Sequence, residues 1–351
     1  MPPYQELDNE QRRNMLNNFQ LYDAFADALM TQRSMRGSLL WQETAGKEYL
    51  IRALDGRTRK SMGPRSPETE AQHAAFYENK ARNKASMEGI KGRLKQQSAM
   101  CKALNTGRMP RLAGNILRHL AAASLQEKTI TVIGTHALYG YEGMAGVQFE
   151  TGILATNDLD MLWDARTRLK LSGAIPAEGL IGMLQQVDRS FAIMRKTQYR
   201  AVNRDGFMVD LLQNRVDMRT QPRNSFAAED AFVAVEADMD WLISSPKVSA
   251  KALDEDGYPV PMSIPDPRAF AVHKAWLSAR PDRDPIKKPR DAAQAVALFH
   301  LVKRLLPQFP FSDAALRAFP TAVREQAKDT IYAGTEREAQ SAQAGQFLDW
   351  E

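Results

Sequence analysis

What this chain has little of narrows the possibilities first. Among 351 residues there is a single cysteine, Cys101. An internal disulfide and a multi-cysteine zinc site are therefore excluded. Cys101 lies beside Met100 in a helix-like run, which suits a packed thiol. No stretch approaches the roughly 18 consecutive apolar residues of a membrane span. The opening MPPYQELDNEQRRN lacks the basic segment and following apolar segment of a secretory leader. Internal repeats and low-complexity tracts are missing as well. Aromatic residues make up only 8%, whereas 44% hydrophobic and 25% charged residues are ordinary for a chain that buries a core. The expectation is a cytoplasmic globular protein of two or three domains, with no membrane association.

Charge is present, but unevenly. The net charge is +5. Residues 1–130 hold 21 Lys and Arg against 13 Asp and Glu, while residues 131–351 hold 26 against 29. Such asymmetry fits a polyanionic partner for the basic part, and a solvated basic face has the same composition.

Helical spacing of Leu16, Phe19, Leu21, Phe25 and Leu29 predicts an amphipathic helix over the first thirty or so residues. Residues 38–66 read as a three-stranded meander, with a turn at Ala45-Gly46 and a hairpin dipeptide at Asp55-Gly56. It carries Arg52, Arg57, Arg59, Lys60 and Arg65. Ser66-Pro67-Glu68 is a helix start: Ser caps, Pro suits the first position, and Glu68 and Glu70 suit the dipole. The helix it opens, to about Gln97, is polar and basic. A more apolar helix follows between Leu104 and Leu125, interrupted near Gly107 and Pro110. The basic meander, with Trp41 and Tyr49 to stack on bases, is the place for an RNA partner; the rival is a scaffold for the rest of the chain.

At Thr129 the texture changes. Thr129–Ile133 is a β-branched run ending in Gly134, the pattern of a buried strand. Asn157–Trp163 is a second strand-like run, a helix lies within 175–194, and Tyr199–Leu212 reads as a hairpin around Asn203-Arg204-Asp205-Gly206. From Asp266 onward helices are expected, broken at Pro281, Pro285, Pro289, Pro307, Pro310 and Pro320, with a loosely held polar tail after Thr335. The expected domains are 1–126, 127–245 and 246–351, the last helical.

Three features of the middle segment fit together. The first strand ends in Gly134-Thr135. Strand alternation puts Asp158 and Asp160 on one face, with Leu159 on the other. Asp210 lies on a third strand, between Val209 and Leu211. Two adjacent carboxylates repel unless a cation joins them, and hard oxygen ligands suit Mg2+ or Mn2+ together with substrate phosphates. The glycine would let backbone N–H groups and the Thr135 hydroxyl approach a triphosphate.

This order of motifs resembles the polymerase-beta-like nucleotidyltransferases, whose signature is h-G-[GST], then D-h-D, then a later h-D-h. Ile133-Gly134-Thr135-His136-Ala137 with Thr156-Asn157-Asp158-Leu159-Asp160 is similar to a bacterial family of that fold, whose members also carry the stretch Gly63–Glu70. The resemblance spans most of residues 40–300. It implies an α+β fold, a mixed sheet with flanking helices, between a helical and β-meander N-terminal region and a helical C-terminal domain. It also implies metal-dependent transfer of a nucleotidyl group from an NTP to RNA, such as tRNA, or to a protein side chain. Toxin or defence roles are common among relatives of this fold. Asp158, Asp160 and Asp210 would be the catalytic metal ligands, and Gly134, Thr135 and His136 would meet the nucleotide, with His136 alternatively a packed helix-start residue. By resemblance to nucleotidyltransferase-fold toxins, Lys274 and Asp291 line the site with Lys287 or Lys288 nearby, and Arg280 shares a face with Lys274. A solvated basic loop is the plainer account of that cluster. One departure is the 24-residue spacing from Gly134 to Asp158, about twice the usual. It fits an insertion around Tyr141–Gly146, either a lid or a longer glycine-rich connection. The other function class in view is a nucleic-acid-binding protein on an inactive nucleotidyltransferase core.

Overall fold

Turn and capping chemistry sets the first elements. After β1 (Tyr4–Glu6), α1 (Asn9–Ser34) is followed by the meander β2 (Ser38–Thr44), β3 (Lys47–Ala53) and β4 (Arg59–Pro64). Ala45 and Gly46 turn the first hairpin, both with positive φ. α2 (Pro67–Ala103) starts in a capping box, with Ser66 Oγ accepting from the Thr69 N–H and Thr69 Oγ1 from the Ser66 N–H. α3 (Arg111–Ala122) follows the break expected near Gly107 and Pro110.

The computed structural model describes residues 3–54, 58–126, 129–164, 179–213, 235–236 and 240–348. The Asp55-Gly56 dipeptide and Arg57 lie outside the described residues. Two units separate, one of Arg13–Leu104 and one of Met1–Arg12 with Asn105–Glu351. The boundaries expected at 126 and 245 both fall inside the larger unit.

In the smaller unit, α1 and α2 run antiparallel. Gln97 donates to Asn14, Asn18 reaches Ser98 and Cys101, and Asn83 donates to the Ala28 carbonyl. Ala28, Met87 and Ile90 form a small core flanked by Phe25 and Leu29. Leu16, expected on the apolar stripe, is exposed, because the buried face of α1 runs through Asn14, Met15, Asn18 and Phe19 instead. Both asparagines bond to α2, so hydrophobic spacing misjudged the face. The meander packs on α2 through Trp41, His73 and Tyr77, with Arg65 over the Trp41 ring. Trp41 is thus held within the packing, and Tyr49, opposite Gln42, lies on the other face of the sheet. Arg65 is also tied to Glu48 and Glu70, and Arg52 donates to the Ser34 carbonyl.

The larger unit is built on a mixed sheet. Its strands are β5 (Ile130–Ile133), β7 (Asp158–Trp163), β8 (Ala192–Met194), β9 (Thr197–Val202) and β10 (Met208–Gln213), in the order β5-β7-β10-β9-β8. A two-residue strand, β11 (Val235–Glu236), also pairs with β10. β5 is antiparallel to β7, and β7 is parallel to β10. The β9–β10 turn forms as expected: Asn203 Oδ1 accepts from the Asp205 and Phe207 N–H groups, and Gly206 takes a positive φ.

The expected glycine-rich loop at 141–146 is not a loop. α4 (His136–Ala145) runs through it and ends at Gly146, left-handed at φ 66°. β6 (Val147–Phe149), paired with β1, and the short α5 (Thr151–Leu154) complete the connection. Gly140 faces Ile264 and Met262, where a Cβ would come within 2.8 Å of both. Close helix–sheet packing therefore explains that glycine.

The C-terminal part is not wholly helical either. After α6 (Gly179–Val187) and α7 (Asp240–Ser244), the antiparallel pair β12 (Lys247–Leu253) and β13 (Pro259–Pro265) packs between α4 and β5. Prolines at 259, 261 and 265 argue against a strand in sequence, but in a two-stranded ribbon each strand keeps an unpaired edge. α8 (Pro267–Ala279), α9 (Lys287–Leu305) and α10 (Thr321–Leu348) then pack on one another. Pro289 does not break α9, because it sits in the first turn where a backbone N–H has no helical partner. Among the described residues, no helix is long and apolar enough to cross a membrane.

Candidate active site

Strand register gathers the carboxylates. Asp210 on β10 pairs with Asp160 on β7, and Met208 with Asp158. On the other side, Ile133 of β5 pairs with Asp160. Side chains in register on neighbouring strands share a face. The carboxylates of Asp158, Asp160 and Asp210 are thus brought to one region, where β5 turns into α4.

Gly134 makes that turn with φ +64°, and a Cβ built on it would overlap the Asp160 carboxylate. The glycine is needed twice, for its backbone conformation and for the space the carboxylate fills. Gly134→Ala is expected to cost about 1–2 kcal/mol from the left-handed φ alone. It should also displace the Asp160 carboxylate. Activity should fall about a hundredfold or more, as misplacement of a reacting group by an ångström does. Thermal melting and initial rates would check the two effects separately.

The three carboxylates differ electrically. Burial, reinforced by Asp158 and Asp210, pushes the Asp160 carboxyl up to about 7, with Lys274 and Lys287 opposing. Burial also raises Asp158, but the Thr156 hydroxyl bonded to it, together with Lys287, His136 and Arg290, brings it below its ordinary value. Lys287, at the start of α9, lies 3.8 Å from Asp158. Asp210 is gripped by Arg200, its cross-strand partner, through Nε–Oδ1 at 2.7 Å and Nη2–Oδ2 at 2.5 Å. That fork holds the Arg200 guanidinium well above its ordinary value. Among the described residues, no three His, Cys, Asp or Glu side chains are grouped to hold a metal ion as they stand.

The other expected residues are placed as follows. Thr135 is buried, its hydroxyl accepting from Gln294 at 3.3 Å. His136 is fully buried against Tyr139 and Phe207. Its Nδ1 lies 3.0 Å from the Asp158 carbonyl, and since a carbonyl only accepts, Nδ1 carries the proton. Burial lowers the imidazole to about 4, against the pull of Asp158, so it is neutral and anchors the strand that bears Asp158.

Lys274 of α8 and Asp291 of α9 are brought together, 2.8 Å apart and both buried. Arg283 holds the other oxygen of Asp291 at 2.7 Å. Burial lowers the Lys274 ammonium, while Asp291 and then Asp160 pull it back up, so this cation is electrically coupled to the carboxylate cluster. Lys288 has its charge felt at Asp282. Arg280 is not turned to the cluster: it forks onto Asp282 at 2.7 Å and stacks over Trp276 at 4.7 Å.

Sequence reasoning gave no role to Arg200, Arg283 or Gln294, and took Arg290 only as part of the basic run before Asp291. Arg200 faces Asp210 because the turn is centred on Asp205, one half-step beyond the 203–206 turn read from sequence, which would have put residue 200 opposite 209. Arg290, which donates to the Ala155 carbonyl, and Arg283 depend on helix packing that no local pattern carries.

A family model described as "Nucleotidyltransferase" matches residues 111–320, well over half of the chain. That span contains every strand and helix on which these side chains sit. No curated protein and no solved structure matches.

Proposed function

Because the chain belongs to the Nucleotidyltransferase family, we propose that it transfers a nucleoside monophosphate from an NTP to a hydroxyl, at Asp158, Asp160 and Asp210 on a polymerase-beta-like core. The observation that supports this most is the register of β7 with β10, which aligns Asp160 with Asp210 two residues from Asp158. The antiparallel β5–β7 and parallel β7–β10 pairs agree with that core.

The donor chemistry fits Mg2+ or Mn2+. Oxygen-only ligands suit a hard cation, and the raised Asp160 carboxyl marks negative charge that such a cation would relieve. Asp158 and Asp160 would be the principal ligands, and Asp210 would reach the ion only by sharing its oxygens with Arg200. The ion would supply charge stabilisation for the polyphosphate and for the attacking oxygen. The backbone at Gly134-Thr135 would support the triphosphate, and Lys287 and Arg290 would meet its charge. Lys274 would temper the carboxylates from within. In the transfer, the acceptor hydroxyl gives up its proton to solvent as its oxygen bonds to the α-phosphorus, the bond to the bridging oxygen breaks, and pyrophosphate leaves.

RNA is the proposed acceptor. The smaller unit is basic, with 16 Lys and Arg against 9 Asp and Glu over residues 13–104. Arg59 and Lys60 are exposed on β4. Pyrophosphate release from each NTP, with Mg2+ and either cellular RNA or lysate protein, tests the reading. Release that needs both the metal and RNA is expected. Release only with protein would move the acceptor to a side chain. No release, with RNA still retained by the protein, would favour a binding protein on an inactive core.

A further inference from the structure

Both carboxylate oxygens of Asp210 already have a cation. Arg200 stands directly opposite it on β9 and holds one oxygen with Nε and the other with Nη2. The Asp210 side chain is 7% exposed and that of Arg200 27%, so the pair is largely withdrawn from water while the guanidinium stays reachable. Arg200 also feels the charge of Asp158.

We propose that Arg200 is the resident cation of Asp210, so that the site takes one divalent ion, at Asp158 and Asp160, with the guanidinium serving in place of a second. The proposal rests on the metal-dependent reading above. The supply of free carboxylates argues for it. With both oxygens of Asp210 taken up by Arg200, Asp158 and Asp160 are the two carboxylates left for a divalent ion, and Lys287, 3.8 Å from Asp158, is a looser neighbour than that fork. Geometry argues for it too. A planar guanidinium satisfies a carboxylate at both oxygens and stays protonated at any working pH, which a lysine ammonium does not do. Opening the fork to admit a second ion would leave a partly buried guanidinium without its partner. Arg200 would then be a positioning residue: it fixes Asp210 and adds positive charge beside the carboxylates.

Titration of the full-length chain with Mn2+ alone, following free Mn2+ by electron paramagnetic resonance, reads this directly. Near pH 8, where Asp160 is deprotonated, wild type should bind one ion, lost in Asp158→Asn. Arg200→Gln should expose Asp210 and bind a second. Removing the pair together, Arg200→Gln with Asp210→Asn, should restore one ion with affinity within about threefold of wild type, as for sites that do not share a ligand. This double variant also serves if the unpaired Asp210 of the single variant prevents folding. Two ions in wild type, one of them lost on Asp210→Asn, would overturn the proposal and leave the metal-dependent reading standing. The same would follow from one ion in both wild type and Arg200→Gln, or from loss of that ion's affinity by more than about tenfold in the double variant, a loss that marks a group bound to the ion or to its ligands. No bound ion in any of these proteins would overturn the proposal and the metal-dependent reading together.

Discussion

Asp160→Asn should make the metal-free protein more stable at pH 8 while removing its activity. Two effects of one carboxylate are involved. In the folded chain its carboxyl is held up to about 7 by burial and by Asp158 and Asp210, against an ordinary value of 3.8. A folded-state value raised above the unfolded one means that the folded protein holds the proton more tightly. The associated stability is fully present below about pH 4 and is lost as pH rises toward 7. At 1.36 kcal/mol per unit, the ceiling of that loss is about 4 kcal/mol. Asn keeps the shape and removes the charge, so the melting temperature at pH 8 should rise by about 5–10 °C, and its downward slope between pH 4 and 7 should flatten. Catalysis should move the other way. A metal-held transition state is worth several kcal/mol, so losing a principal ligand should cost on the order of a thousandfold in rate. Melting curves at several pH values, without divalent ions, would check the first effect. A drop in melting temperature would show that Asp160 is a structural carboxylate and sink this account of the cluster.

Asp291→Ala should be the most destabilising single change near the site. Asp291 is wholly buried and pairs with both Lys274 and Arg283, one on each oxygen. Burial alone would raise its carboxyl, but those two cations hold it below the ordinary value. Removing one partner of a buried pair leaves the other charge uncompensated, which costs about 3–5 kcal/mol. Lys274, with only 3% of its surface exposed, cannot turn out to water without disturbing α8. The expected fall in melting temperature is about 10–15 °C. Replacing the buried pair, Lys274→Met with Asp291→Leu, should recover most of that stability, because such a pair exchanged for packed apolar groups is often near neutral and the partly exposed Arg283 can turn to water. Activity should remain low in the double variant, since the charge that Lys274 supplies beside Asp160 is gone. A double variant that is both stable and fully active would assign the pair to packing alone.

Much of the site was legible because its signals are local. A β-branched run ending in glycine, two aspartates in alternation and an aspartate after a hairpin turn each follow from nearest-neighbour backbone geometry. The structure aligns them by strand register, as that reading required. The meander and the Ser66 cap were legible for the same reason. What escaped depends on contacts distant in sequence. Gly143 and Gly146 suggested a loop, yet α4 runs through the first and ends at the second, and Gly140 one turn earlier packs against Met262 and Ile264. Prolines hid the β12–β13 ribbon, because an unpaired strand edge tolerates what a central strand does not. Arg283 reaches Asp291 only once α8 and α9 are packed. His136 showed its chemistry but not its surroundings, and full burial makes it an anchor of the Asp158 strand.

The most direct test of the central claim is incubation with NTPs radiolabelled at the α-phosphate, Mg2+ and total cellular RNA, with wild type beside Asp158→Ala/Asp160→Ala. The account predicts labelled RNA with wild type and none with the double variant, which should still melt cooperatively. Equal labelling by both proteins would contradict it and place the chemistry away from these carboxylates.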